Sequence, residues 1–187
     1  IVDVSSGAVL LADTTLVSSV TKIALFANGT DFVFVWVTGA GSLRYSTYSS
    51  TTLTSGSLFT IALTAPPVHW DAVPTASGFF AFAASIPPDI QVKRVTIATG
   101  AVSTFTSEFA RAGLLVALNY LPGYACLSMA FDDTAGDLRC KKYTESTLVT
   151  AVMNHMNTLS SPSITLVDSP GSSLVVAFCC FNSRTKD

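Results

Sequence analysis

Val92-Lys-Arg-Val-Thr-Ile97-Ala-Thr-Gly-Ala-Val102 is the stretch on which the fold turns, because the chain repeats its pattern. Leu43-Arg-Tyr-Ser-Thr-Tyr48-Ser-Ser-Thr-Thr-Leu53 is a second copy, and Leu138-Arg-Cys-Lys-Lys-Tyr143-Thr-Glu-Ser-Thr-Leu148 is a third. Each begins with an apolar residue followed by a base, and further apolar or aromatic residues stand 5 and 10 positions on. Val4-Ser-Ser-Gly-Ala-Val9 matches the second half of the same pattern. The steps from Val9 to Leu53, Leu53 to Val102 and Val102 to Leu148 are 44, 49 and 46 residues. A period in this range is the mark of a repeat architecture.

Working outward, each copy follows a compact apolar run. Phe32–Val37, Phe79–Ala84 and Tyr124–Phe131 are three such runs, and Leu174–Phe181 is a fourth near the end of the chain. A shorter strand-like piece with a turn precedes each run, namely Lys22–Asp31, Val68–Gly78, Gly113–Gly123 and Ile164–Gly171. A last strand follows the basic stretch, as in Ser57–Leu63. The unit therefore reads as four short strands, A to D, with B the most apolar. A continuous apolar run of this length fits a strand buried on both faces. Leu148–Leu159 has some helical spacing, but Asn154 and Asn157 weaken it and the repeat register makes it strand D plus a loop.

Composition agrees with an all-β reading. The chain of 187 residues is 49% hydrophobic and 12% charged, with 12 Phe, and Val, Thr, Ser and Gly favour strands and tight turns. A net charge of −2 gives no general attraction to nucleic acid or an anionic membrane. The apolar runs fall far short of the ~20 residues of a membrane-spanning helix. No signal peptide is visible. The units are expected at 16–63, 64–110 and 111–158, with half-units at 1–15 and 159–187. Pro66-Pro67 and Ser161-Pro162 fall at the unit boundaries, where strands cannot continue.

Four-stranded units of this period, stacked without helices, resemble the blades of a β-propeller. The fold class expected is thus all-β, a propeller segment of about four antiparallel blades. The competing reading is a β-sandwich or solenoid with accidental periodicity. The named blade signatures are absent: the one Trp-Asp pair, Trp70-Asp71, lies in strand A. Strands C and D at the start and A and B at the end would make one complete blade, either by closing a ring or because the segment belongs to a longer polypeptide. The second is the expectation.

Few residues suit catalysis. His69 and His155 are the two imidazoles. Asp71 stands two residues after His69, so on a strand both face one side. No nucleophile elbow accompanies them, and a structural histidine is the simpler reading. Cys126, Cys140, Cys179 and Cys180 lack Cys-x-x-Cys spacing; they read as small hydrophobes, with Cys126 and Cys140 flanking one hairpin. Asp132-Asp-Thr-Ala-Gly-Asp137 is acidic enough to hold Ca²⁺, but such residues also make ordinary solvated turns. Asn28-Gly-Thr30 is a formal glycosylation site and reads better as a hairpin turn. No metal, cofactor or catalytic residue is expected. Arg44, Lys93 and Arg139 recur at one position of the unit. They read as bases lining a channel or touching a partner, or as a solvated edge that discourages strand addition.

Three function classes follow. The first is a structural or assembly module, supported by scarce ionisable groups and Ser/Thr/Gly/Ala-rich surfaces. Degenerate blades of this kind resemble the propeller regions of bacteriophage tail nozzle proteins, the tail tubular protein B type of short-tailed phages. That resemblance implies a virion location and a ring of identical subunits around a DNA exit channel. Its partners would be copies of the chain, other tail proteins and passing DNA. The second class is a carbohydrate-binding propeller, a lectin or receptor-adsorption domain, which would be extracellular. It would need repeated aromatic and polar pairs in equivalent loops, which the sequence lacks. The third is a glycoside hydrolase, which needs converging carboxylates. Asp31, Asp71, Asp89 and Asp132 lie at unit ends but not at equivalent positions.

Overall fold

A computed structural model describes residue 20 and residues 22–52, 54–76, 78–108, 116–121, 126–132, 138–144, 153–155, 165–168 and 175–178. The expected half-unit over 1–15 and most of the acidic loop after Asp132 lie outside the described residues, as do Cys179 and Cys180.

The described residues form strands and turns. The first sheet is β1 (Ile23–Asn28), β2 (Asp31–Val37), β3 (Ser42–Ser49) and β4 (Ser55–Ala62), in that order and antiparallel throughout. The second is β5 (His69–Pro74), β6 (Phe79–Ile86), β7 (Asp89–Thr96) and β8 (Val102–Glu108). The third is β9 (Val116–Leu121), β10 (Cys126–Asp132), β11 (Leu138–Thr144) and β12 (Met153–His155). β13 (Thr165–Asp168) and β14 (Val175–Phe178) form an antiparallel pair. Each sheet falls inside one unit of the sequence period. The stretch with helical spacing contains β12, paired with β11.

Each apolar run supplies the second strand of its sheet. β6 shows why it reads as continuously apolar. Phe80, Phe82, Ala84 and Ile86 face the first sheet, while Ala81 and Ala83 face the third. Both faces of the strand are buried, so the usual polar alternation is lost. Phe80 and Phe82 are fully buried; side chains of this kind contribute about 1.5–3 kcal/mol each on burial. Trp70 tilts against Phe82 at 5.9 Å between ring centroids, and Phe26 against Phe80 at 5.7 Å.

The recurring basic stretch is not one strand. Val92 is buried in β7, Ile97 is buried just beyond the strand's end, and Val102 opens β8. The spacing of 5 and 10 thus marks a strand end, a turn and the start of the next strand. The turn closes through the Gly100 and Thr99 N–H groups, both donating to the Thr96 carbonyl.

The first strands of successive sheets lie side by side. β1 packs on β5, β5 on β9, and β9 on β13. The hairpin turns after β1 and β5 meet as well. Asn28 is the last residue of β1 and pairs with Asp31, so the two-residue loop is Gly29-Thr30, one residue later than the expected Asn-Gly turn. Gly29, at φ +63, takes the left-handed conformation that such loops demand. Asn28 is thereby left to accept the Gly78 N–H, at the corresponding turn of the next sheet, at 3.2 Å.

Candidate functional site

β5 carries two ionisable side chains that reach the neighbouring sheet. His69 and Asp71 alternate with the buried Trp70 and so share one face of the strand. That face meets β9. His69 Nδ1 accepts the Val116 N–H at 3.3 Å, and Asp71 Oδ2 accepts the Leu118 N–H at 2.8 Å. The other carboxylate oxygen, Oδ1, accepts the Ala72 N–H at 3.0 Å. An imidazole and a carboxylate thus satisfy backbone donors of the neighbouring sheet's first strand, donors that would otherwise be costly to bury.

Lys22, just before β1, completes the group from the first sheet. Its ammonium donates to the Trp70 carbonyl, lies 3.7 Å from Asp71 Oδ1 and sits 4.8 Å from the centre of the Trp70 ring. The ion pair is partly solvated, which limits its worth to about 0–1 kcal/mol. Lys22, His69 and Trp70 also line a cleft of about 300 Å³ with Val37–Gly39 and Pro66–Val68. The Gly41 turn builds its wall. Gly41 has φ +80, and a Cβ there would stand 2.7 Å from the Pro66 nitrogen, so the turn can approach the intersheet connection only as glycine.

The bases singled out in the sequence all lie on third strands, each opposite an aromatic residue of the second strand. Arg44 stands opposite Trp36, Lys93 opposite Phe82, and Arg139 opposite Phe131. Lys93 lies on the face of β7 that carries Val95 and Ile97, which packs against the first sheet. Arg44 is on the opposite face from Leu43 and Tyr45, turned away from the second sheet. All three therefore occupy third strands; Lys93 lies at the face between the first and second sheets, and Arg44 on the outer face of the first. Asp31 opens β2 at the β1–β2 turn, whereas Asp89 and Asp132 lie at the turns joining second and third strands. These are opposite ends of a sheet, and the carboxylates do not converge. Among the described residues no group of three or more His, Cys, Asp and Glu could hold a metal ion. Cys126 pairs with Thr144 and Cys140 with Ala130. At about 3.3 Å per residue, that stagger of four residues holds the two cysteines too far apart for a disulfide.

The sequence motivated His69 and Asp71 as same-face partners of one another. Their roles toward β9 lay 47 residues away along the chain and carried no local signal.

No family model matches the chain, and neither does any curated protein. Among solved structures it is similar to a chain from a structural and mechanistic study of two prolyl endopeptidases, concerned with inter-domain dynamics in catalysis and specificity. The TM-score is 0.50 at 14% identity, over 78% of this chain and 22% of that one. This chain spans about a fifth of the length of that structure's chain, and at this identity the likeness is one of fold.

Proposed function

We propose that the chain is a β-propeller segment in which each four-stranded sheet is a blade, and that it works as a structural module of a larger protein assembly. The observation that carries this reading is the fate of Asp71. In a catalytic or sugar-binding site its oxygens would face substrate. Here they accept the Leu118 and Ala72 N–H groups and face Lys22. The scarce ionisable groups of β5 are spent on joining sheets.

Packing of protein on protein is the mode of action. With 12% of residues charged, against the ordinary quarter, the surface is poorly defended against association. Lys93 at an intersheet face supports a packing role over contact with DNA. The bacteriophage tail, and within it the nozzle, is the assembly that the degenerate blades resemble, with copies of the chain and other tail proteins as partners. Immunoelectron microscopy with antibodies to residues 22–108 tests this: the nozzle reading requires label at the tail end of intact particles. Label confined to unassembled, secreted protein would overturn it in favour of an extracellular binding propeller.

A further inference from the structure

The first sheet has one covered and one open face. Val33, Val35, Leu43 and Tyr45 pack against the second sheet. The pairings Ile23↔Trp36, Leu25↔Phe34, Trp36↔Arg44, Phe34↔Ser46 and Ser46↔Leu58 put those residues on the other side. Ile23, Leu25 and Leu58 are 45, 57 and 56% exposed there. On the same face the Arg44 Nε is buried without a hydrogen-bond partner among the described residues. Clustered exposed apolar groups beside an unsatisfied donor mark an interface.

The repeat says what kind of interface. Trp36 opposite Arg44 corresponds to Phe82 opposite Lys93 and to Phe131 opposite Arg139. Phe82 packs against the first sheet, and Phe131 against the second. The open face is therefore the one by which each later sheet receives the sheet before it.

The sequence offers an occupant. Val4–Val9 repeats the pattern of Ile97–Val102, which leads into β8. From Val102 to Val116, the first residue of β9, is 14 residues, and from Val9 to Ile23, the first residue of β1, is also 14. The segment stands to β1 as β8 stands to β9. We propose that residues 4–15, as the last turn and outer strand of a preceding sheet, cover the Arg44–Leu58 half of this face and supply a backbone acceptor to the Arg44 guanidinium. The inference rests on reading the sheets as blades, but not on the assembly they enter.

Thiol labelling tests it. Leu58→Cys probes the open face, and Val68→Cys, at a position 55% exposed beside the cleft, serves as control. Each thiol is followed at its own peptide by mass, in folded full chain diluted to the monomer. The Leu58→Cys thiol should react at least about tenfold slower than the Val68→Cys thiol. Adding Val9→Asp, or removing residues 1–15, should abolish the difference. Equal rates in the intact chain overturn the proposal. So does protection that fades on dilution, which would assign the face to a second copy, and so does protection that survives both changes. Because the readout is taken on the monomer, failure of the assembly reading would leave it intact.

Discussion

The Tyr45 hydroxyl donates to the Ile97 carbonyl oxygen at 2.9 Å, tying the third strand of the first sheet to the end of the third strand of the second. The Thr96 carbonyl accepts from the same hydroxyl at 3.1 Å. The ring stacks on Phe59 at 4.8 Å between centroids and meets the edge of Phe80 at 5.2 Å. Tyr45→Phe keeps the ring and takes the hydroxyl donor from the buried Ile97 carbonyl, while the Thr96 carbonyl keeps the Thr99 and Gly100 N–H groups. It should lower stability by about 1–3 kcal/mol, read from the midpoint of urea unfolding at unchanged slope.

The same burial sets a pH limit. Desolvation pushes the Tyr45 hydroxyl up to about 12 from 10.0, with a hydrogen bond to the Gly100 backbone pulling the other way. The folded state then holds a proton that the unfolded state has released. Its contribution is complete below about pH 10 and is lost as pH rises toward 12. Tyrosinate absorbance should show one residue titrating late in wild type, and Tyr45→Phe should remove that phase.

Gly100 packs where a side chain cannot. Its φ is +72, and a Cβ would approach Phe59 Cδ1 to 2.7 Å. Gly100→Ala therefore combines a left-handed backbone with a clash against the ring stacked on Tyr45. A loss of about 1–3 kcal/mol is expected. Gly39, where a Cβ would meet nothing within 4 Å, should accept alanine at little cost.

Asp71→Ala removes the acceptor of the Leu118 N–H and should cost about 1–3 kcal/mol. Lys22→Met removes the partly solvated end of the same group and should cost less than about 1 kcal/mol. Hydrogen exchange gives the sharper readout: Asp71→Ala should speed exchange at Leu118 in β9 while amides in β3 keep their protection.

The sheets were legible in the sequence because strands buried on both faces leave unbroken apolar runs, as at Phe79–Ile86, and because the strand-end pattern at Val92–Val102 recurs. Positions within turns were less so. Gly29 rather than Asn28 opens the first hairpin loop, since a shift of one residue leaves the composition of the turn unchanged. The Tyr45–Ile97 and Asp71–Leu118 contacts were illegible because each joins two sheets. Tyr45 reads as any strand aromatic, and Asp71 as a companion of His69, until the neighbouring sheet is placed. The three bases were visible as a repeat, but a period alone does not say which face of a sheet they occupy.

The central claim is that these sheets serve packing in an assembly and carry out no turnover. Light scattering on the intact protein at micromolar concentration tests it most directly. The account predicts a mass that is a multiple of the single chain, with Asp31, Asp71 and Asp89 each replaceable by Asn without loss of any glycoside hydrolysis. A stable monomer that hydrolyses a glycoside, and loses that activity when one of these aspartates is replaced, would contradict it.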